Sequence, residues 1–472
     1  MKIFLRCLAA VVAAVFSTSP VAAQDGFPDA GWNGDGKVLI SVVNHVASGY
    51  RLAAQPDGRL VLAGFCSTTT GTTYAPCLSR LLATGEIDLS FGPNLNGAFS
   101  FDEFDGYPDR TLLGSILLRS DGGFAMAGTS YVPAGSGSGL VGIGNVTQLT
   151  SSGRIVLGPS GERARLISLS ANPSFPDTYI QGGALLPDGR LILAGSAPRA
   201  SQVENMDFAI ARLNADLSFD TTFNATGPLP GVQHAAFDIA GAGFDSADAV
   251  VVQADGKLVA AGIVEANANA REIGVVRLTP DGSLDASFGN NGRVSFDLGG
   301  SAECRLGGLT LDGQQRIVLT GSRESDSTTG STDSFVARLR ADNGAFDTSF
   351  NGIGYRILAL STAGSFDDGL GGVITQPDGK ILAVGYTTVG DVMRATVAIR
   401  LLANGNDDPA FGAGGVAVSA FSPTDRSQGL SDVILTPGNR LFSVGSSGPD
   451  SSASSIGVMR LTYDDIFGDG FE

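Results

Sequence analysis

Ala249-Val250-Val251-Val252-Gln253-Ala254-Asp255-Gly256-Lys257-Leu258-Val259-Ala260-Ala261-Gly262 holds two apolar runs joined by an Asp-Gly pair. Asp-Gly supplies the positive φ of a tight hairpin, so the stretch predicts two antiparallel strands. Ile273-Gly274-Val275-Val276-Arg277-Leu278 predicts a third strand. A turn follows, with Asp285, Phe288, Gly289 and Gly292 in the pattern Asp-x-x-Phe-Gly-x-x-Gly, and leads to a fourth strand at Val294. In such a turn Asp bonds its own following backbone, Phe anchors the turn in the core, and Gly accepts left-handed geometry.

The same unit recurs along the chain. Gln55-Pro56-Asp57-Gly58 to Gly64, Asp121 to Gly128, Pro187 to Gly195, Asp312 to Gly321, Pro377 to Gly385 and Pro437 to Gly445 are its other hairpins. The closing glycines 64, 128, 195, 262, 321, 385 and 445 lie 59 to 67 residues apart. The Arg-Leu pair of the third strand returns at Arg80-Leu81, Arg212-Leu213, Arg338-Leu339, Arg400-Leu401 and Arg460-Leu461. The Asp-x-x-Phe turn returns at Asp88/Phe91, Asp220/Phe223, Asp347/Phe350 and Asp408/Phe411, and is lost after the second unit, around Ser151 to Ile155. Periods of this length signal stacked supersecondary units that bury a shared core.

These Asp-Gly hairpins, Arg-Leu strands and Asp-x-x-Phe-Gly turns resemble the delta-60 repeat, a bacterial β-propeller repeat of exported and surface proteins. The resemblance spans nearly everything after residue 23. It implies a fold, and brings no catalytic residues with it. The expected fold is all-β: a seven-bladed β-propeller of four-stranded antiparallel blades over residues 24–463.

Closure is expected at the termini. Asp29-Ala30-Gly31-Trp32-Asn33-Gly34-Asp35-Gly36-Lys37-Val38 matches the junction motif with Trp in the Phe place, then runs into Leu39-Ile40-Ser41-Val42-Val43. That is a fourth strand with no first three before it. The seventh unit has three strands and little chain left after Leu461, so the N-terminal strand is expected to complete the last blade. Residues 464–472, which begin Asp464-Asp465-Ile466-Phe467-Gly468, are expected to form a tail, either frayed or an export address.

Residues 1–23 read as a secretory signal: Lys2 and Arg6, the apolar Leu8 to Phe16, then Val21-Ala22-Ala23 before the cleavage point. The apolar run is shorter than the ~20 residues of a membrane span, so export to the periplasm or exterior without membrane insertion is expected. The remaining chain has 28 basic against 47 acidic residues, a net −19 that repels phosphate backbones and argues against nucleic acid. Of the cysteines beyond the signal, Cys66 and Cys77 flank the loop between two adjacent strands and form a candidate disulfide, reasonable in an oxidising compartment; Cys304 has no partner.

Familiar catalytic machinery is missing. Only His45 and His234 exist, about three units apart, and no His-Glu-x-x-His, Cys-x-x-Cys or Gly-x-Ser-x-Gly occurs. Gly137 to Gly142 matches Gly-x-Gly-x-x-Gly but leads into a strand, which denies phosphate a helix end. Asn33 to Gly36 and Asp281 to Asp285 faintly resemble calcium loops without their closely spaced acids. No cofactor is therefore expected, calcium being the weak exception. Acids do gather near the starts of the predicted innermost strands: Asp109, Asp245, Asp248, Glu303, Asp367, Asp368 and Asp432. In a propeller these positions converge on the central channel, where paired carboxylates bind a cation or perform acid–base work; solvated loop acids are the plainer reading. The leading expectation is a monomeric, exported binding or structural module with a protein or glycan ligand. The alternatives are a metal-dependent hydrolase or lyase using the channel-mouth acids, and a cell-surface adhesion subunit.

Overall fold

The computed structural model describes residues 25–463 apart from 43–44, 69–73, 102–109, 134–138, 173–174, 199–204, 240–242, 268–269, 300–302, 327–329, 362–366, 391–392 and 450–453. Residues 1–24, with the expected signal, and 464–472, the expected tail, lie outside the described residues. Within them the chain forms seven four-stranded antiparallel sheets, the blades of a β-propeller. The fourth blade is typical: Ser246–Val252 innermost, then Leu258–Asn267, Ala270–Leu278 and the short outer Arg293–Phe296. The other innermost strands are His45–Ala54, Thr111–Leu118, Tyr179–Leu185, Cys304–Leu311, Gly369–Thr375 and Ser427–Leu435.

Each hairpin turn between first and second strands places a left-handed residue two positions before the second strand. Gly58, Gly122, Gly189, Gly256 and Gly379 hold it in five blades, with φ between 78° and 86°. In the fifth and seventh, where the turn residues depart from Asp-Gly, Gln315 and Asn439 adopt φ of 62° and 51°. Glycine is preferred but the turn type persists without it.

The closing glycines have a different cause. Every innermost strand carries a β-bulge, whose extra residue is Tyr50, Gly114, Gln181, Asp248, Gly307, Gly371 and Ser431 in turn. The closing glycine sits opposite that bulge. A Cβ on Gly262 would fall on the carbonyl of Ser246, and Gly64, Gly128, Gly195, Gly321, Gly385 and Gly445 meet the equivalent carbonyl in their blades, all closer than real Cβ atoms come. The bulge tilts a peptide over the second strand, and only hydrogen fits beneath it.

Seven apolar clusters hold the ring, one between each pair of neighbouring blades. The Asp-x-x-Phe turn reinforces five of these joints, in a way best seen between blades four and five. The fully buried Phe288 inserts beneath Gly344 of blade five, where no side chain fits. Arg277, 2% exposed, lies with its guanidinium carbon 4.5 Å from the Phe288 ring centroid. Its Nε donates to Asp285 Oδ2 (2.8 Å), its other nitrogens to the carbonyls of Ala341 and Asp342 in the next blade. Asp285 Oδ1 in turn accepts from the backbone (3.0 Å) and hydroxyl (2.6 Å) of Ser287. Arg80/Asp88/Phe91, Arg212/Asp220/Phe223 and Arg338/Asp347/Phe350 repeat the arrangement, and Arg400/Asp408/Phe411 keeps the ion pair and the ring contact. Charge-assisted bonds and a desolvated cation–π contact, the latter worth ~1–2 kcal/mol, thus lock blade to blade.

The N-terminal segment closes the ring. Lys37–Ile40 pairs antiparallel with Ser455–Leu461, Val38 opposite Val458, and forms the outer strand of blade seven. It starts two residues earlier than the expected 39–43 stretch, because Val38 and Ile40 are the side chains that face the core while Leu39 faces solvent. The same segment serves two joints. Asp29 Oδ2 accepts from Arg460 Nε (2.7 Å), and Trp32 reaches blade one, donating from its indole to the Ala83 carbonyl (3.0 Å). On the other side Asp25 pairs with Arg400 (2.8 Å), and Phe411 of blade six packs beneath Gly26.

Candidate functional site

The seven bulges bring the innermost strands close together around the axis. A Cβ on Gly182 would strike Asp248 and Ala249 of the next blade, and one on Gly371 would strike Ser431. The bulge after Gly49 turns Tyr50 and Arg51 toward this channel, the Arg51 guanidinium carbon resting 3.9 Å from the Tyr50 ring centroid. A cavity of about 290 Å³ opens here among blades five, six, seven and one, with Tyr50, Arg51, Arg305, Tyr386, Arg394 and Gln428 in its wall. Glycines complete the wall, Gly307 and Gly371 at bulges and Gly429 before one, and leave backbone exposed where side chains would fill the space. Among the described residues no Asp or Glu lines it.

The acids flagged from sequence divide into three groups. Asp245 and Asp368 are buried and serve the crossover into the innermost strand. Asp245 accepts from the backbones of Phe237 (3.0 Å) and Glu265 (3.2 Å); Asp368 accepts from Leu360 (2.6 Å), Ser361 (2.9 Å) and the Thr387 hydroxyl (2.8 Å). Gln428 in blade seven and Thr178 in blade three make equivalent bonds, to Phe421 and Leu169. An acid is one of several residues that pin this crossover. Burial raises both carboxyls despite those bonds, Asp245 to about 6.

Glu303 and Asp367 are surface partners of arginines. Glu303 meets Arg305 (3.0 Å) and Arg271 (3.6 Å), and Asp367 meets Arg394 (3.0 Å), whose guanidinium also lies over Tyr386. Asp248 and Asp432 form the third group, on the innermost strands at or beside the bulge. Burial pushes the Asp248 carboxyl up to about 7, opposed by the Ser246 hydroxyl and the charge of Arg51. Burial likewise raises Asp432, opposed by Arg51 and by the N–H groups of Leu52 and Val433. One arginine therefore bears on two reluctant carboxylates, Asp432 of the adjoining blade seven and Asp248 of blade four. Asp109 lies outside the described residues.

Among the described residues no group of three or more His, Cys, Asp or Glu side chains is placed to hold a metal ion. Cys66 and Cys77 are joined by a disulfide whose Cα atoms are 5.6 Å apart, and Cys304 is buried, its thiol pushed up to about 11 by that burial. The mouth arginines escaped the sequence reading because they belong to no repeat motif. Positions equivalent to Arg51 hold Ser115, Gly182, Ala249, Gly308, Gly372 and Asp432, so only ring geometry brings Arg51, Arg305 and Arg394 together.

Residues 55–91, 186–223, 253–288, 316–350 and 376–411 match the family model described as a domain of unknown function (DUF5122) beta-propeller. Five of the seven units match this repeat model. Each match ends at the Phe that wedges under the next blade, and the unmatched units are the second, which lost that turn, and the seventh, whose turn comes from the N-terminus. No curated protein matches the chain. Among solved structures, a protein of unknown function from Dyadobacter fermentans is 10% identical over 91% of this chain and 98% of its own, with a TM-score of 0.43. A polysaccharide lyase, an ulvan lyase, is 10% identical over 92% and 94% (TM-score 0.48), and Drosophila Semaphorin 1a is 10% identical over 91% and 90% (TM-score 0.42). Among the described residues no helix is long and apolar enough to cross a membrane.

Proposed function

We propose that the chain is an exported propeller of the delta-60 type that binds a ligand at the mouth of its central channel and does not transform it. The observation that carries this reading is the cavity wall: arginine, tyrosine, serine and bare glycine backbone, with the carboxyls of Asp248 and Asp432 outside it. Such a wall offers donors and flat faces for recognition, whereas the acid–base alternative rests on the flagged carboxyls, none of which lines the cavity among the described residues. The metal-dependent hydrolase or lyase alternative draws no support from how the acids are used, since Asp245, Glu303, Asp367 and Asp368 are engaged by backbone, hydroxyl or arginine partners.

The test is calorimetry of the full chain against a panel of mono- and oligosaccharides and short peptides, repeated with Tyr386→Ala. The expected result is binding that weakens when the Tyr386 ring is removed, with the ligand recovered unchanged. Binding indifferent to Tyr386 would move the site elsewhere, and recovery of a cleaved ligand would replace the binding reading with an enzyme.

A further inference from the structure

We propose that the mouth cavity recognises a small cyclic ligand bearing a carboxylate, with an acidic sugar as the ligand class, and that Arg305 and Arg394 hold the anionic group beside Arg51. This inference rests on the channel-mouth reading above and adds the chemistry of the ligand.

Charge is the first ground. The chain carries a net −17, yet among the described residues this wall holds three arginines and no acid. The arginines come from blades one, five and six and are not repeat residues, so blade stability does not require them there. Arg305 and Arg394 are each paired at 3.0 Å with a rim acid, Glu303 and Asp367, while Asp248 and Asp432 bear on Arg51 and resist ionisation, so three arginines stand against two ready anions. A cavity whose fixed cations outnumber its ready anions favours an anionic guest.

Geometry is the second ground. A guanidinium is a planar fork that matches a carboxylate through two parallel hydrogen bonds. Arg51 and Arg394 are each stacked on a tyrosine, 3.9 and 4.6 Å from the ring centroids, which restricts their motion and so the entropy lost on binding. Size is the third. About 290 Å³ is far more than a bare oxyanion fills and lies at the small end of ligand pockets. The surplus is walled by Tyr386, Ser322 and Ser431, whose hydroxyl groups suit the alternating donors and acceptors of a sugar ring. Burial raises the Tyr386 phenol above its ordinary value, which favours its protonated, donating form.

The decisive experiment is calorimetry with the full chain against glucuronate, galacturonate, glucose, galactose and sodium sulfate. It is repeated with the double variant Arg305→Gln/Arg394→Gln and with Tyr386→Ala. Arg305 and Arg394 are well exposed, at 69% and 45% of their side chains, so an unchanged melting temperature is expected to show that the double variant folds. Support is binding of the uronates at least about tenfold tighter than of the neutral sugars, lost by about tenfold or more in the double variant. Sulfate as tight as the uronates would overturn the sugar class. Neutral sugars binding equally well, with Tyr386→Ala still abolishing them, would overturn the anion inference and leave the mouth reading intact. Binding unmoved by either variant would overturn both. Absence of binding by all five probes would overturn the inference.

Discussion

The joint between blades four and five and the joint between blades two and three do the same task with different chemistry. The first joins Arg277, Asp285 and Phe288 to the carbonyls of Ala341 and Asp342. At the second, Gln148 stands in the arginine place and donates one neutral bond to the Ala215 carbonyl (3.1 Å). Val156 occupies the aspartate place: its N–H donates to the Gln148 carbonyl (2.8 Å) as that of Asp285 does to Arg277 (3.0 Å). The backbone skeleton of the clasp survives without its charges. The apolar cluster beneath, with Val146, Ile167, Ile180 and Leu193, is as continuous as the others. Burial of apolar surface builds the ring, and the ion pair tightens individual joints.

Acid should separate the two joints most strongly, because it acts on every charged clasp at once. Burial alone would raise the Asp285 carboxyl, but the two bonds from Ser287 and the charges of Arg277 and Lys257 outweigh it and hold the group at about 2. Asp88, Asp220 and Asp347 are lowered by the same kind of balance, and Asp408, which burial alone would raise, by the Ala410 N–H and the charges of Arg400 and Lys380. A depressed folded-state pKa contributes stability that is complete above the unfolded value near ~4 and is lost as pH falls through the folded one. Asp245 and Asp248, raised to about 6 and 7, have the opposite slope: their contribution is full below ~4 and is lost as pH rises through 6 to 7. The melting temperature should therefore rise from pH 8 toward pH 5 and drop steeply between pH 4 and 2. Hydrogen exchange across the second and third blades should show the smallest loss at the acid end. A uniform loss around the ring would break the comparison.

Arg277→Ala comes next. It strands Asp285 in a site 7% exposed, and removal of one partner from a buried ion pair costs ~3–5 kcal/mol. Lys257, 3.4 Å from Asp285, sets the lower end of that range. Urea unfolding of the variant measures it. Gln148→Ala should cost no more than ~1 kcal/mol by the same measurement, since it deletes a single neutral, solvent-exposed bond. Equal losses for the two variants would show that the charged clasp is ornamental. The smallest effect is a gain: Gln148→Arg with Val156→Asp should add about 1 kcal/mol, and Gln148→Arg alone should add nothing, because the pair and not the arginine is the unit.

The repeat, the blade count and the closure were legible in the sequence because each is written several times over or at both ends. The clasp was half legible. Arg-Leu and Asp-x-x-Phe were both visible, and their partnership was signalled by a constant offset of eight residues (80/88, 212/220, 277/285, 400/408; nine for 338/347). Read singly, the aspartate was a turn former and the phenylalanine a core residue, which they also are. The closing glycines were visible as a pattern, but their reason lies in a bulge on the neighbouring strand. The mouth was least legible. Its acids were noticed because they cluster near strand starts, whereas Arg51, Arg305 and Arg394 are scattered over about 340 residues and meet only through the curvature of the ring.

Val38 lies opposite Val458, 420 residues further along the chain. During synthesis the strand made first is thus the last to find its place. At roughly 5–20 residues per second it waits on the order of 20 to 80 s for its neighbour to emerge, with two apolar side chains facing water. Any truncation before the final blade leaves that strand an orphan, free to join the corresponding gap in another molecule. Folding of this chain is consequently vulnerable to premature termination in a way that its blades, taken one by one, are not.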